Sequence, residues 1–388
     1  MSRRPPPSVR RNARPPRPGG RRAYPEAARR AVVAVASVLV ALALAAGVAW
    51  WWVSLPARRI ARAEAAAKAG DFATALAAWR AVNASGPPRA SYLKAEARAA
   101  LALGRAAEAD RALARASDVD PSDPEPWRLR LERLRVLDMP LEAQALGWPA
   151  YAAVPPDDRP GVLRDLTLAL LAELPEDLAR TTLARWADAA PDPDARVALL
   201  LRGASMPRPG DPDRASRVAE LARMLDAEPS RLSVREALVS ALLDGGDLDR
   251  ARRALGEWPG AEPGRDARYW RLRGRFDLDY DRRPGPAVDA LTRALADLPH
   301  DWKTRARLAR ALHALGRNAD ARREAEAVNR TRESLDPTRL GPRLSADFEH
   351  IAEPSALLDL ASLCDHAGLA RLAEAWRREA ASRPPGRS

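Results

Sequence analysis

Few residues of this chain have the type and spacing to do chemistry. Asp277, Asp279 and Asp281 place carboxylates at alternate positions, which is how a calcium-binding loop opens. Such a loop also needs glycine at its sixth position and glutamate at its twelfth; Arg282 and Val288 stand there, so the trio reads as a polar turn. The histidines are His300, His313, His350 and His366, and the one cysteine is Cys364. Only Cys364 and His366 are close, and side chains two apart do not share a helix face, so no metal site is expected. Cys364 forms no internal disulfide and reads as a small apolar residue of the last helices. The chain has no HExxH, no GxSxG, no Walker glycine-lysine loop and no GxGxxG opening a helix. Its carboxylates alternate with arginines, as on solvated helix faces. No general acid, nucleophile or cofactor site stands out, so neither an enzyme nor a cofactor is expected.

The elements that would position any site are helices. Pro87, Pro121 and Pro155 fall thirty-four residues apart. Seventeen residues before Pro87, Pro121 and Pro263 stand Gly70, Gly104 and Gly246, and twelve before stand Ala75, Ala109 and Ala251. Gly316 and Ala321 repeat the pair, although Glu333 replaces the closing proline. Glycine accepts the left-handed conformation that ends one helix and reverses the chain. Alanine lets the returning helix approach closely, and proline stops it. The closing prolines run on at Pro191, Pro229, Pro263 and Pro299, in steps of 36, 38, 34 and 36, so inserted residues belong in turns such as 203–213 and 281–286. The unit at 194–231 is the least regular, because Arg217 stands where alanine is expected and its turn is long and proline-rich. Residues 336–353 break the rhythm, and Gly368, Ala373 and Pro385 restore it.

A thirty-four-residue period with a turn glycine, a small residue and a closing proline resembles the tetratricopeptide repeat, and Gly70, Phe72, Ala75 and Trp79 carry the fullest likeness. The resemblance implies an all-α fold, a helix-turn-helix solenoid wound as a right-handed superhelix over 56–335. An irregular connection at 336–353 would follow, then a C-terminal capping pair at 354–387 whose Arg371, Arg377 and Arg378 suit one wet face. It also implies that the first helix of each pair lines a concave groove that grips a peptide or a helix of another protein. Mapped onto this chain, the groove candidates are Lys94, Arg98 and Leu101, then Arg128, Glu132 and Arg135, then Arg271, Arg275, Arg310 and His313. Arginine suits carboxylates, so an acidic or C-terminal peptide is the expected partner; ordinary solvated helix positions are the competing reading. Repeat domains that clamp the C-termini of cytosolic chaperones use asparagines beside lysines in the first helices. Asn12, Asn83, Asn318 and Asn329 stand elsewhere, so that role is not expected.

The formal charge is +12, but the first thirty residues hold ten arginines against Glu26, which leaves the rest of the chain at only +3. A nearly neutral body argues against nucleic-acid binding. Residues 1–30, rich in proline and arginine without apolar periodicity, are expected to be disordered. Residues 31–53 contain no charge and no proline and end on Trp50, Trp51 and Trp52, an aromatic belt. At about 1.5 Å per residue the run spans about 34 Å, enough for a bilayer, and too long for a cleaved signal peptide. It is therefore expected to be a transmembrane signal anchor. The denser arginine cluster before it places the N-terminus in the cytoplasm and the repeats across a bacterial inner membrane, in the periplasm. The expected role is an adaptor or scaffold of an envelope complex; the alternative is an assembly or chaperone factor for exported proteins, of the secretion or cytochrome c maturation type.

Overall fold

The computed structural model describes residues 26–54, 56–204, 213–260 and 265–383, in two units, Met1–Arg59 and Ile60–Ser388. The first unit holds α1 (Glu26–Ser54). Its side chains are described over 33–48, where every residue is exposed and Ser37 is the only polar one. The helix begins inside the stretch read as a disordered tail. Residues 26–30 are helical, and alanine and arginine are strong helix formers. Residues 1–25, the rest of that tail, lie outside the described residues. Among the described residues no helix is long and apolar enough to cross a membrane. Of the expected span 31–53, the side chains of 31–32 and 49–53, the three tryptophans included, lie outside those described.

In the second unit the helices come in the expected order. They are α2 (Pro56–Lys68), whose first four residues fall in the first unit, and α3 (Phe72–Ala84), α4 (Ala90–Ala102) and α5 (Ala106–Val119), then α6 (Pro124–Leu137) and α7 (Pro140–Ala153). Next are α8 (Arg159–Leu171) and α9 (Glu176–Ala189), α10 (Pro193–Ala204) and α11 (Asp213–Ala227), α12 (Leu232–Gly245) and α13 (Leu248–Gly256). Last come α14 (Ala267–Asp279) and α15 (Pro284–Asp297), α16 (Trp302–Ala314) and α17 (Asn318–Ser334), α18 (Pro337–Glu349), α19 (Pro354–His366) and α20 (Ala370–Ala381). No strand occurs among the described residues. The turn glycines at 70, 104, 246, 316 and 368 all have φ between 73° and 80°. After each, the next N–H closes the helix end, as when Arg105 donates to the Ala100 carbonyl at 2.9 Å. In the third pair Asp138 takes that place, at φ 57°. The alanines five residues on, Ala75, Ala109, Ala251 and Ala373, are fully buried, as is Ala143 after Asp138.

Two expectations about pairing are corrected. Helix α8 does not pair with α9. It packs on α6 and α7, where Leu163, Leu166 and Leu170 meet Leu131, Ala143 and Ala150. Helix α9 packs on α10 through Leu183, Trp186, Ala195 and Ala198, and α11 packs on α12. The irregular unit at 194–231 is therefore two helices whose main partners lie outside it. The reason is that α8 is apolar on two sides and is buried from both.

The second correction concerns the C-terminal part. Residues 336–353 are mostly helix α18, because Asp336 caps it by accepting from the Thr338 N–H at 2.9 Å and Pro337 suits the first helical position. Pro342 sits inside that helix, and Leu340 and Leu344, four apart, are buried. Helices α19 and α20 form the expected pair, and the face of α20 opposite its wet one is core. Leu372, Trp376 and Ala380 of α20 join the same core as Leu163, Leu166 and Leu170 of α8. Arg377 and Arg378 remain on a wet face beside Glu374, while Arg371 lies 4.0 Å over the ring of Trp148. Helix α20 thus closes the array back on α8.

Candidate functional site

The expected groove residues are held by neighbouring helices. Lys94 Nζ is 2.5 Å from Asp123 and 3.1 Å from Glu125. Burial works against the Lys94 charge, but these two carboxylates outweigh it and raise its pKa. Arg98 Nε donates to Glu125 at 3.0 Å, and Arg128 Nε to Asp165 at 2.7 Å. Arg275 reaches Asp244 at 2.6 Å, and Arg310 reaches Asp279 at 3.0 Å. Glu132 and Arg135 pair with each other at 3.6 Å, Leu101 packs on the apolar cluster of α3 to α5, and His313 Nδ1 lies 2.8 Å from Asn318 Oδ1. Most of these pairs join one helix pair to the next. They form a ladder of ions between repeats, each rung exposed enough to contribute about 0–1 kcal/mol.

Two of the candidates, Arg135 and Arg271, meet elsewhere, in a cleft of about 560 Å³ created where the array closes. One margin is the end of α6 and the segment after α8; the other is the start of α16 with the end of α17 and the start of α18. Leu298, Leu335 and Leu340 supply apolar lining, and Trp302 stands among them. Lys303 Nζ lies 5.7 Å from the Trp302 ring and the Arg332 guanidinium 5.1 Å. His300 also lines the cleft, and its Nδ1 is buried without a hydrogen-bond partner among the described residues. Burial holds the His300 imidazole below its ordinary pKa, so it is neutral at physiological pH.

Behind the cleft runs a buried charge network. Arg271 pairs with Glu236 and lies 3.4 Å from Asp301, and Glu236, against burial, raises its pKa. Arg268, 9% exposed, pairs with Glu142 of α7, with Glu236 at 3.2 Å and with Asp266 at 2.7 Å. Burial opposes the Arg268 charge, and Glu142, Glu236 and Asp266 together outweigh it. The network ties α7 to α12 and α14, and it fixes the floor on which Arg271 sits.

The other residues singled out by type are structural. Asp277 is buried and held by Arg273 at 2.8 Å, Asp279 by Arg310, and Asp281 by Arg252 at 2.8 Å. Cys364 is buried, and burial pushes its thiol up to about 12. His366 Nδ1 donates to the Ser362 carbonyl at 2.6 Å and His350 Nδ1 to Ala346 at 3.0 Å. Among the described residues no group of His, Cys, Asp and Glu is arranged to hold a metal ion. The cleft residues Trp302, Lys303 and Arg332 were not legible as a site. The aromatic and basic pair at 302–303, opening a helix after the His300 turn, was the only signal, and nothing in sequence brings Arg332 or 172–174 beside it.

The sequence model of the tetratricopeptide repeat family matches residues 208–276 and 281–334, the stretch that holds α11 to α17, and this part of the chain carries that repeat. No curated protein matches the chain. Among solved structures it is similar to a tetratricopeptide repeat protein from Parabacteroides merdae, at 12% identity over 66% of this chain and 98% of that one, TM-score 0.32. It is similar to the Cut9-Hcn1 hetero-tetramer of APC/C, at 15% identity over 84% of this chain and 66% of that one, TM-score 0.33. It is also similar to yeast Tom70, at 11% identity over 87% of each chain, TM-score 0.31.

Proposed function

We propose that this chain is a membrane-anchored interaction protein, an adaptor or scaffold that binds another protein through its repeat array rather than by catalysis. One observation carries the anchoring: every described side chain of α1, from 33 to 48, is exposed, uncharged and, Ser37 apart, apolar. Sixteen such residues in one helix expose more apolar surface than water tolerates on a free helix, so a cover of lipid is the economical partner. The arginines before the apolar run at 31–53 then face the cytoplasm, and the repeats lie across a bacterial inner membrane. Tetratricopeptide repeats over 208–334 support the binding role, since that repeat generally serves protein–protein contacts.

Fractionation tests the anchor. The full chain is expected to stay with membranes through an alkaline carbonate wash, and a chain lacking 26–54 to be released. Recovery of the intact protein in the wash would sink the reading. Crosslinking in the membrane, followed by mass spectrometry, is expected to return one stoichiometric complex; a broad set of transient clients would point instead to an assembly factor.

A further inference from the structure

The closing cleft differs from the rest of the array in what its cations touch. Lys94, Arg98, Arg128, Arg275 and Arg310 each meet a carboxylate, but Lys303 and Arg332 meet none among the described residues, and both lie beside the Trp302 ring. The acids of the cleft do not neutralise them. Asp301 is taken by Arg271 and Thr304, Asp336 caps α18, and Asp138 and Glu173 belong to the opposite margin, at the ends of α6 and α8. That margin offers a second handle. Ala172 is extended, with φ −106° and ψ 106°, residues 172–175 are in no helix or strand, and the N–H groups of Glu173 and Leu174 have no protein partner among the described residues.

We infer that the cleft takes an extended acidic segment of another protein, its main chain along 172–174 and its carboxylates on Lys303 and Arg332 beside Trp302. An extended chain turns alternate side chains to one side. A segment lying along 172–174 can therefore exchange main-chain hydrogen bonds there and present every second side chain to the Trp302 margin. Carboxylates match these two cations, which meet none among the described residues, and the Trp302 ring supplies apolar contact to their stems. This deepens the interaction reading, on which it rests, by assigning the place and the chemistry of the partner.

The test is fluorescence anisotropy with the full chain in detergent micelles and a labelled peptide of alternating Glu and Val, against the same peptide with Gln for Glu. The acidic peptide is expected to bind at least about tenfold tighter, the equivalent of one charge-assisted contact. K303E/R332E is expected to abolish that preference. R111E/R115E, which makes the same charge change on exposed positions of α5, is expected to leave it within about twofold. Equal binding of the two peptides, or equal losses in the two double variants, would overturn the inference. Circular dichroism melts confirm that each variant is folded, and W302A, which removes no charge, gives a second lesion at the same place. Partner crosslinking in the membrane that survives K303E/R332E would leave the interaction reading standing while removing this site.

Discussion

The indole Nε1 of Trp376 donates a 3.1 Å hydrogen bond to the hydroxyl of Thr167, and both residues are buried, 209 positions apart in the chain. Thr167 in turn donates to the Leu163 carbonyl at 2.7 Å. This pair is where α20 meets α8, and nearby the Tyr151 hydroxyl donates to Glu379 at 2.6 Å. Burial and the Glu379 charge together push the Tyr151 phenol up to about 12. The closure is thus specified by polar matches inside an apolar contact, which a slipped register would leave unpaired.

Thr167→Val keeps the shape and removes the acceptor. An indole N–H left buried and unpaired costs about 1–3 kcal/mol, whereas Thr167→Ser retains the bond. Urea denaturation should therefore show a lower midpoint for T167V than for T167S; equal midpoints would mean that water reaches the indole.

Gly104 and Gly246 share a left-handed conformation, φ 75° in both, but not their surroundings. A Cβ at 104 would sit 3.1 Å from Ala189 Cβ and 3.2 Å from the Arg185 carbonyl of α9, while a Cβ at 246 would meet nothing within 4 Å. Gly246→Ala should cost about 1–2 kcal/mol, the strain of the conformation alone. Gly104→Ala should cost roughly 1 kcal/mol more, because α9 must yield as well. Matched thermal melts of the two variants read the difference.

Arg268 is the hub of three carboxylates, so Arg268→Met leaves Glu142, Glu236 and Asp266 without their shared cation. Breaking a buried ion pair from one side costs about 3–5 kcal/mol. Glu236 keeps Arg271 and Asp266 caps α14, accepting from the Tyr269 N–H at 3.3 Å. The loss should therefore lie at the lower end. A melting temperature unchanged at neutral pH would show that the network contributes nothing net.

Stability should also fall in mild acid. The His300 imidazole is held below its ordinary 6.5, by burial first, with Arg271 adding and Asp301 and Asp138 opposing. Between 6.5 and that lower value the unfolded chain binds a proton that the folded chain refuses, so stability declines as pH drops through this window and then levels. Asp301 adds a separate loss in stronger acid. Burial raises its pKa, but Arg271 and two bonds from Thr304 outweigh this and hold it below 3.8. The urea midpoint should decrease as the pH falls below the ordinary imidazole value, and His300→Gln should flatten that slope. An unaltered slope in the variant would assign the titration to another group.

The thirty-four-residue rhythm was decided locally, and the sequence alone therefore carried it. A left-handed turn takes glycine, a close helix contact takes alanine, and a helix end takes proline, whatever lies farther along the chain. Asp138 shows how little the side chain must change for the same turn to form without glycine. Helix α18 was illegible because Pro342 reads as a break, while Leu340 and Leu344 become core only once α8 and α20 lie near. The choice of partners was not local either. Helix α8 is apolar on two sides, and periodicity cannot say whether its second side takes α9 or a helix two hundred residues away. Only the tertiary structure chose α20, because Trp376 fits Thr167 there. The cleft is tertiary too, since Trp302 and Arg332 line it together with the end of α8, which is remote from both in the chain.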